Sequence, residues 1–361
     1  MKKRIALVSA GVAAGLVTAG VVGREILKRR QPDAAPIGDL PPKDLGRVAS
    51  FDGTELAVRA AGDPADPVLL LSHGFSLDMS EWCDLWPELA RDFRVVAFDH
   101  RSHGRSAPAA HGDLSLRSMG RDIAAVLEAV APERPAVVIG HSMGAMAILA
   151  MAEQRPELFG PRVAGVVLIG AASSDLLRGA MGSVTELLRP RLGSTRAAAK
   201  RVDRLRRAVL SGPVDVSGVV ARVTQFGPHA PHRVVDHVVA LAQQTASEVW
   251  TDALPELMEM DLRHAVPRIR VPALVVVGEL DRVTPPAAAI ELAGALPDGR
   301  LVVLDGAGHI PMLERPVELE RELRAFARAA LGPPKPKPAR RRTKPKTEPK
   351  PAEPTKEVGA A

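Results

Sequence analysis

Tyrosine is absent from this 361-residue chain, and aromatic residues make up only 3% of it. A core must therefore be assembled from Val, Leu, Ala and Ile, which the 46% apolar content supplies. Cysteine occurs once, at Cys83, which excludes an intramolecular disulfide and any CxxC pair. A basic body is lacking too. Residues 1–30 carry seven Lys/Arg and one Glu, and residues 332–361 carry nine Lys/Arg and three Glu, so each end is +6. The whole chain has 48 basic and 42 acidic residues, which leaves 32 against 38, or −6, on residues 31–331. The basic character belongs to the ends, and a nucleic-acid-binding face on the folded body is not expected.

Charge is missing altogether from residues 5–23, "IALVSAGVAAGLVTAGVVG", which lie between Lys2-Lys3-Arg4 and the run "REILKRR". Nineteen helical residues span close to the hydrocarbon thickness of a bilayer. The stretch is long for a secretory signal and is followed at once by cations. Residues 1–30 are therefore read as an uncleaved single-pass membrane anchor, with export after signal cleavage as the alternative. Cations on both sides leave the orientation open, and Gly11 with Gly15 is filler in so alanine-rich a segment. Residues 31–45, with Pro32, Pro36, Pro41 and Pro42, read as a tether.

From residue 46 to about 173, strand-like runs at 47–51, 55–59, 68–72, 95–99, 136–139 and 163–169 alternate with helical patterns, notably 116–130. That alternation predicts a parallel sheet with helices on both faces. Strand signals vanish from 174 to 265 and resume at 271–278 and 301–304, before a last helix near 316–331. A helical lid is thus expected at 174–265, inserted into one core made of 46–173 and 266–331. Residues 332–361, with eight prolines and almost no large apolar side chain, are expected to be disordered.

Within the alternation, "VVIGHSMGAMAIL" at 137–149 runs a β-branched strand straight into a helix. So tight a turn needs Gly140 and Gly144 on either side of its apex, where side chains would strike backbone. It leaves the Ser142 hydroxyl standing clear at the positive end of a helix. Gly-x-Ser-x-Gly alone is a weak signal, and the rest of the chain must supply its partners. In "LSHGF" the Phe75 amide, with Gly74 letting the backbone approach, would join the Met143 amide as an oxyanion hole. Asp281 in "VVVGELDRVTPP" and His309 in "LDGAGHIPMLERP" each follow an apolar strand. A neutral His309 imidazole would take the Ser142 proton and later pass it to the leaving group, oriented by Asp281. Ser142, Asp281 and His309 fall in the chain order of one serine hydrolase fold and not of the others. His73, Gly74 and His141 are placed in the pocket wall or its support, with the His141 side chain diverging from Ser142.

Through "SHGF", "AFDHRSHGRS", "GHSMG", "VVVGELDRVTPP" and "GAGHIPMLERP", the chain resembles the serine esterase/lipase-like group of the α/β-hydrolase superfamily, from about residue 46 to 331. The resemblance implies an α/β fold with a mostly parallel eight-stranded sheet, helices on both faces and an inserted helical lid. It also implies a nucleophile elbow at Ser142 and no cofactor or metal. Two positions depart from it. Ser102 stands where the family's Asp-x-Arg-Gly-x-Gly-x-Ser loop usually has glycine, and Ala145 stands where many members carry another.

His100 with His103, and His229 with His232 and His237, have ligand-like spacings but no carboxylate or cysteine company, so no metal site is assigned. In the expected lid, residues 189–210 carry eight basic residues and one acid over an apolar repeat. They read equally as a solvated helix face or as a surface resting on anionic membrane. The expected function is hydrolysis of a small-molecule or lipid carboxylic ester through an acyl-enzyme. Cofactor-free perhydrolase (haloperoxidase-like), C–C hydrolase or acyltransferase chemistry on the same fold is the alternative. From another class comes a non-catalytic anchored binding protein.

Overall fold

A computed structural model describes residues 37–174 and 216–332. Its centre is built from charge-free runs of Val, Leu, Ile and Ala, which form strands wherever both faces are covered. Strands β1 (Lys43–Ala49), β2 (Glu55–Ala61), β3 (Val68–Ser72), β4 (Arg94–Phe98), β5 (Ala136–His141), β6 (Val163–Ile169), β7 (Ala273–Gly278) and β8 (Gly299–Leu304) make one sheet. Their spatial order is β1-β2-β4-β3-β5-β6-β7-β8. The β1–β2 and β2–β4 pairs are antiparallel and the rest are parallel. Every residue of β3, β5 and β7 is buried.

The helices are α1 (Trp86–Leu89), α2 (Leu116–Val130), α3 (Met143–Gln154), α4 (Val216–Gln225), α5 (His232–Gln244), α6 (Leu254–Glu259), α7 (Pro286–Ala295), α8 (Pro311–Glu314) and α9 (Pro316–Leu331). Alternate strand residues point to opposite faces. Leu70, Val96, Val138, Val166 and Val275 therefore pack with Met119 and Ile123 of α2 and Ile148 of α3. Leu69, Leu71, Val137, Ile139 and Val276 pack instead with Trp82, Leu89 of α1, and Leu319 and Leu323 of α9. Helices α4, α5 and α6 occupy the described part of the segment between β6 and β7. Its two ends meet, since Leu262 N donates to Ser173 O at 2.8 Å and Ser174 bridges Asp261.

Strand β1 starts at Lys43, inside the stretch expected to be a tether. Its pairing with β2 places Lys43 opposite Ala60. The residues before it are held as well: Arg59 donates to the carbonyls of Pro41 (2.6 Å) and Pro42 (2.9 Å), and Trp86 Nε1 donates to Asp39 O at 3.0 Å. Mostly exposed, with Lys43, Asp44 and Gly46 in its first half, β1 has no apolar alternation to announce its start.

The expected membrane localisation through a single-pass N-terminal anchor does not stand. Among the described residues no helix is long and apolar enough to cross a membrane. The segment that carried the expectation, residues 5–23, lies outside them, and its charge-free run is diluted by four glycines and five alanines. The basic stretch at 189–210 and the proline-rich tail at 333–361 also lie outside the described residues.

The loop after β4 hangs on Arg101, whose buried guanidinium donates to both oxygens of Asp122 at 2.7 Å and to Asp52 at 2.9 Å. Ser102, the departure from the family loop, sits at φ +59, the left-handed conformation that favours glycine. Its hydroxyl oxygen accepts from Ala109 N at 2.9 Å, which offsets part of that strain.

Helices α2 and α3 touch backbone to backbone at Gly120, where a Cβ would lie 2.7 Å from Met151 N and 3.0 Å from Ala147 O. On helix propensity alone, Gly120→Ala would stabilise α2 by about 1 kcal/mol. The expected result has the opposite sign, a loss of about 1–3 kcal/mol as the helices are pushed apart. Urea unfolding with circular dichroism reads it, and an unchanged or higher midpoint would refute the close approach.

Candidate active site

Between the end of β5 at His141 and the start of α3 at Met143, the chain reverses at a single residue. Ser142 takes φ 50 and ψ −115, a conformation that costs an L-residue about 1–3 kcal/mol. It is held there by Ser142 N donating to Ile169 O at 2.8 Å and by Met146 N donating to Ser142 O at 3.0 Å. The flanking glycines have no alternative. A Cβ at Gly140 would lie 2.5 Å from Ala145 N, and one at Gly144 would lie 2.2 Å from Ser72 O.

Asp281 follows β7 and His309 follows β8. The imidazole lies with Nε2 3.0 Å from Ser142 Oγ and Nδ1 2.8 Å from Asp281 Oδ2. All three side chains are buried. Asp281 also accepts from Val283 N and Thr284 N at 2.8 Å and from Thr284 Oγ1 at 2.7 Å. Burial alone would raise this carboxyl, but the charge and hydrogen bond of His309, with the Thr284 donors, hold it below the usual carboxylate value. An ionised Asp281 only accepts, so Nδ1 carries the imidazole proton. Nε2 then presents a lone pair to the Ser142 hydroxyl.

The backbone around His309 is gripped from three sides. His309 N donates to Gln225 O at 2.6 Å. Buried Glu314 accepts from Gly308 N at 3.0 Å, Ile310 N at 3.3 Å and Gly227 N at 2.7 Å. Residues 225–227, at the end of α4 and just past it, thus lie directly on the loop that carries the histidine. Neither Gly308 nor Gly227 has room for a side chain, since their Cβ atoms would meet Gln225 O at 2.5 Å and Gly306 O at 2.2 Å.

Of the other anticipated residues, Met143 opens α3, where amides have no acceptor within their own helix. Phe75 meets Trp250 of the inserted segment edge to face, with ring centroids 4.9 Å apart. His73 accepts from His100 N at Nε2 (2.9 Å) and donates from Nδ1 to Gly74 O (2.8 Å). Burial pushes it down to about 4, so it is neutral and fixes the loop. His141 points away from Ser142: its Nδ1 lies 3.0 Å from Glu81 Oε2 and its Nε2 lies 2.9 Å from His309 O. Gly74 lies against it, a Cβ there falling 2.6 Å from His141 Nδ1. His100 and His103 pack on the His73 ring, and Cys83 is a buried thiol that burial pushes up to about 12. Among the described residues, no group of three or more His, Cys, Asp or Glu is placed to hold a metal ion.

Glu81, Thr284, Gln225 and Glu314 were not singled out in the sequence. Glu314 alone left a trace there, a charge directly after apolar Pro311, Met312 and Leu313, which reads as a buried acceptor only with hindsight. A cavity of about 290 Å³ opens between Leu77–Asp78, the 102–108 loop and the end of α5 with the residues after it, but Ser142, Asp281 and His309 are not among its walls.

A family model described as "Alpha/beta hydrolase family" matches residues 68–322. The protein named "Putative carbamate hydrolase RutD" from Pseudomonas syringae pv. syringae (strain B728a) is 28% identical over 261 residues, 72% of this chain and 93% of the relative. The "Non-heme chloroperoxidase" of Streptomyces lividans is 28% identical over 295 residues, 79% of this chain and 100% of the relative. Among solved structures, the malate-bound thermophilic esterase from Thermogutta terrifontis matches with a TM-score of 0.64 at 24% identity, covering 80% of this chain and 99% of that one. This last similarity is one of fold.

Removing the Glu314 carboxylate strands three backbone amides at once, each worth about 1–3 kcal/mol when buried without a partner. Glu314→Ala is therefore expected to cost about 3 kcal/mol or more in urea unfolding. A loss under about 1 kcal/mol would mean that those amides find other acceptors.

Proposed function

The chain belongs to the alpha/beta hydrolase family, and on that premise we propose that it is a serine hydrolase of small-molecule carboxylic esters working through an acyl-enzyme. The observation that carries this reading is the unbroken hydrogen-bonded line from Ser142 Oγ through His309 to Asp281, at 3.0 and 2.8 Å. Ser142 Oγ attacks the ester carbonyl carbon as its proton passes to His309 Nε2, and Asp281 supports the imidazolium. Charge moves onto the carbonyl oxygen, for which the Phe75 and Met143 amides are the proposed donors. The tetrahedral adduct collapses, the alkoxide leaves and takes the proton from Nε2. Water then gives its proton to Nε2 and attacks the acyl carbon. Ser142 departs with that proton and the carboxylic acid is released.

In this reading the helices between β6 and β7 are the lid. Support comes from their contacts with the loop after β3, where Trp250 meets Phe75 and Thr245 Oγ1 donates to Ser76 O at 3.0 Å. The names of the two relatives vary the leaving group and the chemistry, so the substrate panel must do the same.

The test is hydrolysis of p-nitrophenyl esters of graded acyl length, beside a p-nitrophenyl carbamate and an arm with hydrogen peroxide competing against water for the acyl group. Ester turnover is expected, falling about a million-fold in Ser142→Ala and about ten-thousand-fold in Asp281→Asn. A folded protein that turns over no ester, or a Ser142→Ala variant that keeps the wild-type rate, would overturn the proposal. Faster carbamate cleavage or preferential transfer to peroxide would instead redirect it.

A further inference from the structure

In the sheet, β6 and β7 separate β5, which leads into Ser142, from β8, which leads into His309. A side chain ties the two loops together. His141 Nε2 lies 2.9 Å from His309 O, and a carbonyl only accepts, so Nε2 carries a proton and donates it. The other ring nitrogen, Nδ1, lies 3.0 Å from Glu81 Oε2, which also accepts from Gly74 N at 3.3 Å. Both side chains are buried, His141 to 1% exposure and Glu81 to 0%. Glu314 engages both of its oxygens, as a structural carboxylate does. Glu81 instead commits Oε2 to two donors, while Oε1 has no hydrogen-bond partner among the described residues. Burial on those terms costs stability, and the three segments it connects are the loop before Phe75, the elbow and the His309 loop.

We infer that the Glu81–His141 pair is a positioning unit for the proposed hydrolysis, holding the His309 backbone and the loop before Phe75 in register with Ser142. The inference rests on the serine-hydrolase reading above. One proton is shared between Nδ1 and Oε2. Whichever atom holds it, the pair is neutral overall and Nε2–H still points at the His309 carbonyl. Burial opposes a charge on His141, but the charge and hydrogen bond of Glu81 outweigh it and raise the imidazole above its ordinary value. Burial likewise raises Glu81. The pair therefore holds its proton more tightly than either free group would, which disfavours the form that would turn a bare Nε2 against His309 O.

The pair also accounts for the glycine before Phe75, because any side chain at Gly74 would strike the His141 ring. That ring lies 5.0 Å from the His309 ring, centroid to centroid. A shift of His141 moves the imidazole facing Ser142, and a displacement on the order of 1 Å there is worth about 100-fold in rate. Glutamine cannot replace Glu81. An amide oxygen in place of Oε2 keeps Gly74 but forces His141 to donate from Nδ1, leaving Nε2 bare. An amide nitrogen there keeps the right imidazole form but opposes the Gly74 N–H.

The experiment follows Ser142 labelling by a fluorophosphonate in the full chain, with Ser142→Ala as the blank. Amplitude counts folded sites, and the rate constant reads how well the nucleophile is poised. Glu81→Gln, and the double variant Glu81→Leu with His141→Phe, are expected to label at wild-type amplitude with rate constants about 10- to 100-fold lower. The double variant should also regain the thermal midpoint that His141→Phe alone loses, since no charge is then stranded in the core. Wild-type rate constants in either variant, at full or reduced amplitude, would overturn the inference and leave the pair a structural one. A wild-type protein that labels no faster than Ser142→Ala would overturn the serine-hydrolase reading, and this inference with it.

Discussion

The backbone of β3 presses against the turn between β5 and α3 so closely that Gly144 has no room for even a methyl group, with Ser72 O 2.2 Å from where it would stand. On the other side of the apex, Gly140 meets the first turn of α3 in the same way. Much follows from this contact. It forces Ser142 into a strained conformation that only a fully packed surround sustains. It lifts the hydroxyl above the sheet at the N-terminal end of a helix, where the exposed amides favour developing negative charge. It also brings the loop after β3 alongside the elbow, because β3 is the parallel neighbour of β5.

The second requirement is reach. His309 comes from the far side of the sheet, and an imidazole on an unsupported loop would not stay aimed at one hydroxyl. The fold answers with hydrogen bonds to nearly every polar group near it: Gln225 takes its amide, His141 its carbonyl, Glu314 the amides on either side, and Asp281 its ring. With Glu81 behind His141, this places three carboxylates and two histidines in a low-dielectric interior, where an unpaired charge is costly. Each carboxylate answers that cost with backbone or hydroxyl donors, most completely at Asp281 and least completely at Glu81. The inserted segment takes part as well, since Gln225 and Gly227 belong to it. Packing of that segment and the aim of the histidine are thus coupled through the same hydrogen bonds.

Legibility along the chain followed the range of the interactions. The buried strands announced themselves through apolar runs, and the elbow through glycine spacing, because both patterns arise from contacts only a few residues apart. Strand β1 began earlier than expected because an edge strand facing solvent needs no apolar alternation. The N-terminal anchor was read from an absence of charge, a one-sided signal that alanine and glycine satisfy without supplying much hydrophobicity. Glu81 and Glu314 were invisible for a different reason: acidic residues are common on surfaces, and burial is a property of the fold. The Ser102 departure gained meaning only with its φ of +59, which explains why glycine is usual at that place in the family's loop.

By itself, then, the sequence determined the α/β layering, the tight turn that carries Ser142 and the residue types that follow β7 and β8. Those features depend on periodicity and local sterics, which neighbouring residues encode directly. The tertiary structure alone decided that His309 spans two strands to lie 3.0 Å from Ser142 Oγ. It also decided that His141 finds Glu81 and the His309 carbonyl as its partners, and that residues at the end of α4 and just past it grip the same loop. Such contacts join positions as far apart as 60 and 168 residues. Their formation depends on three-dimensional closure around buried polar atoms, which no local pattern of residues carries.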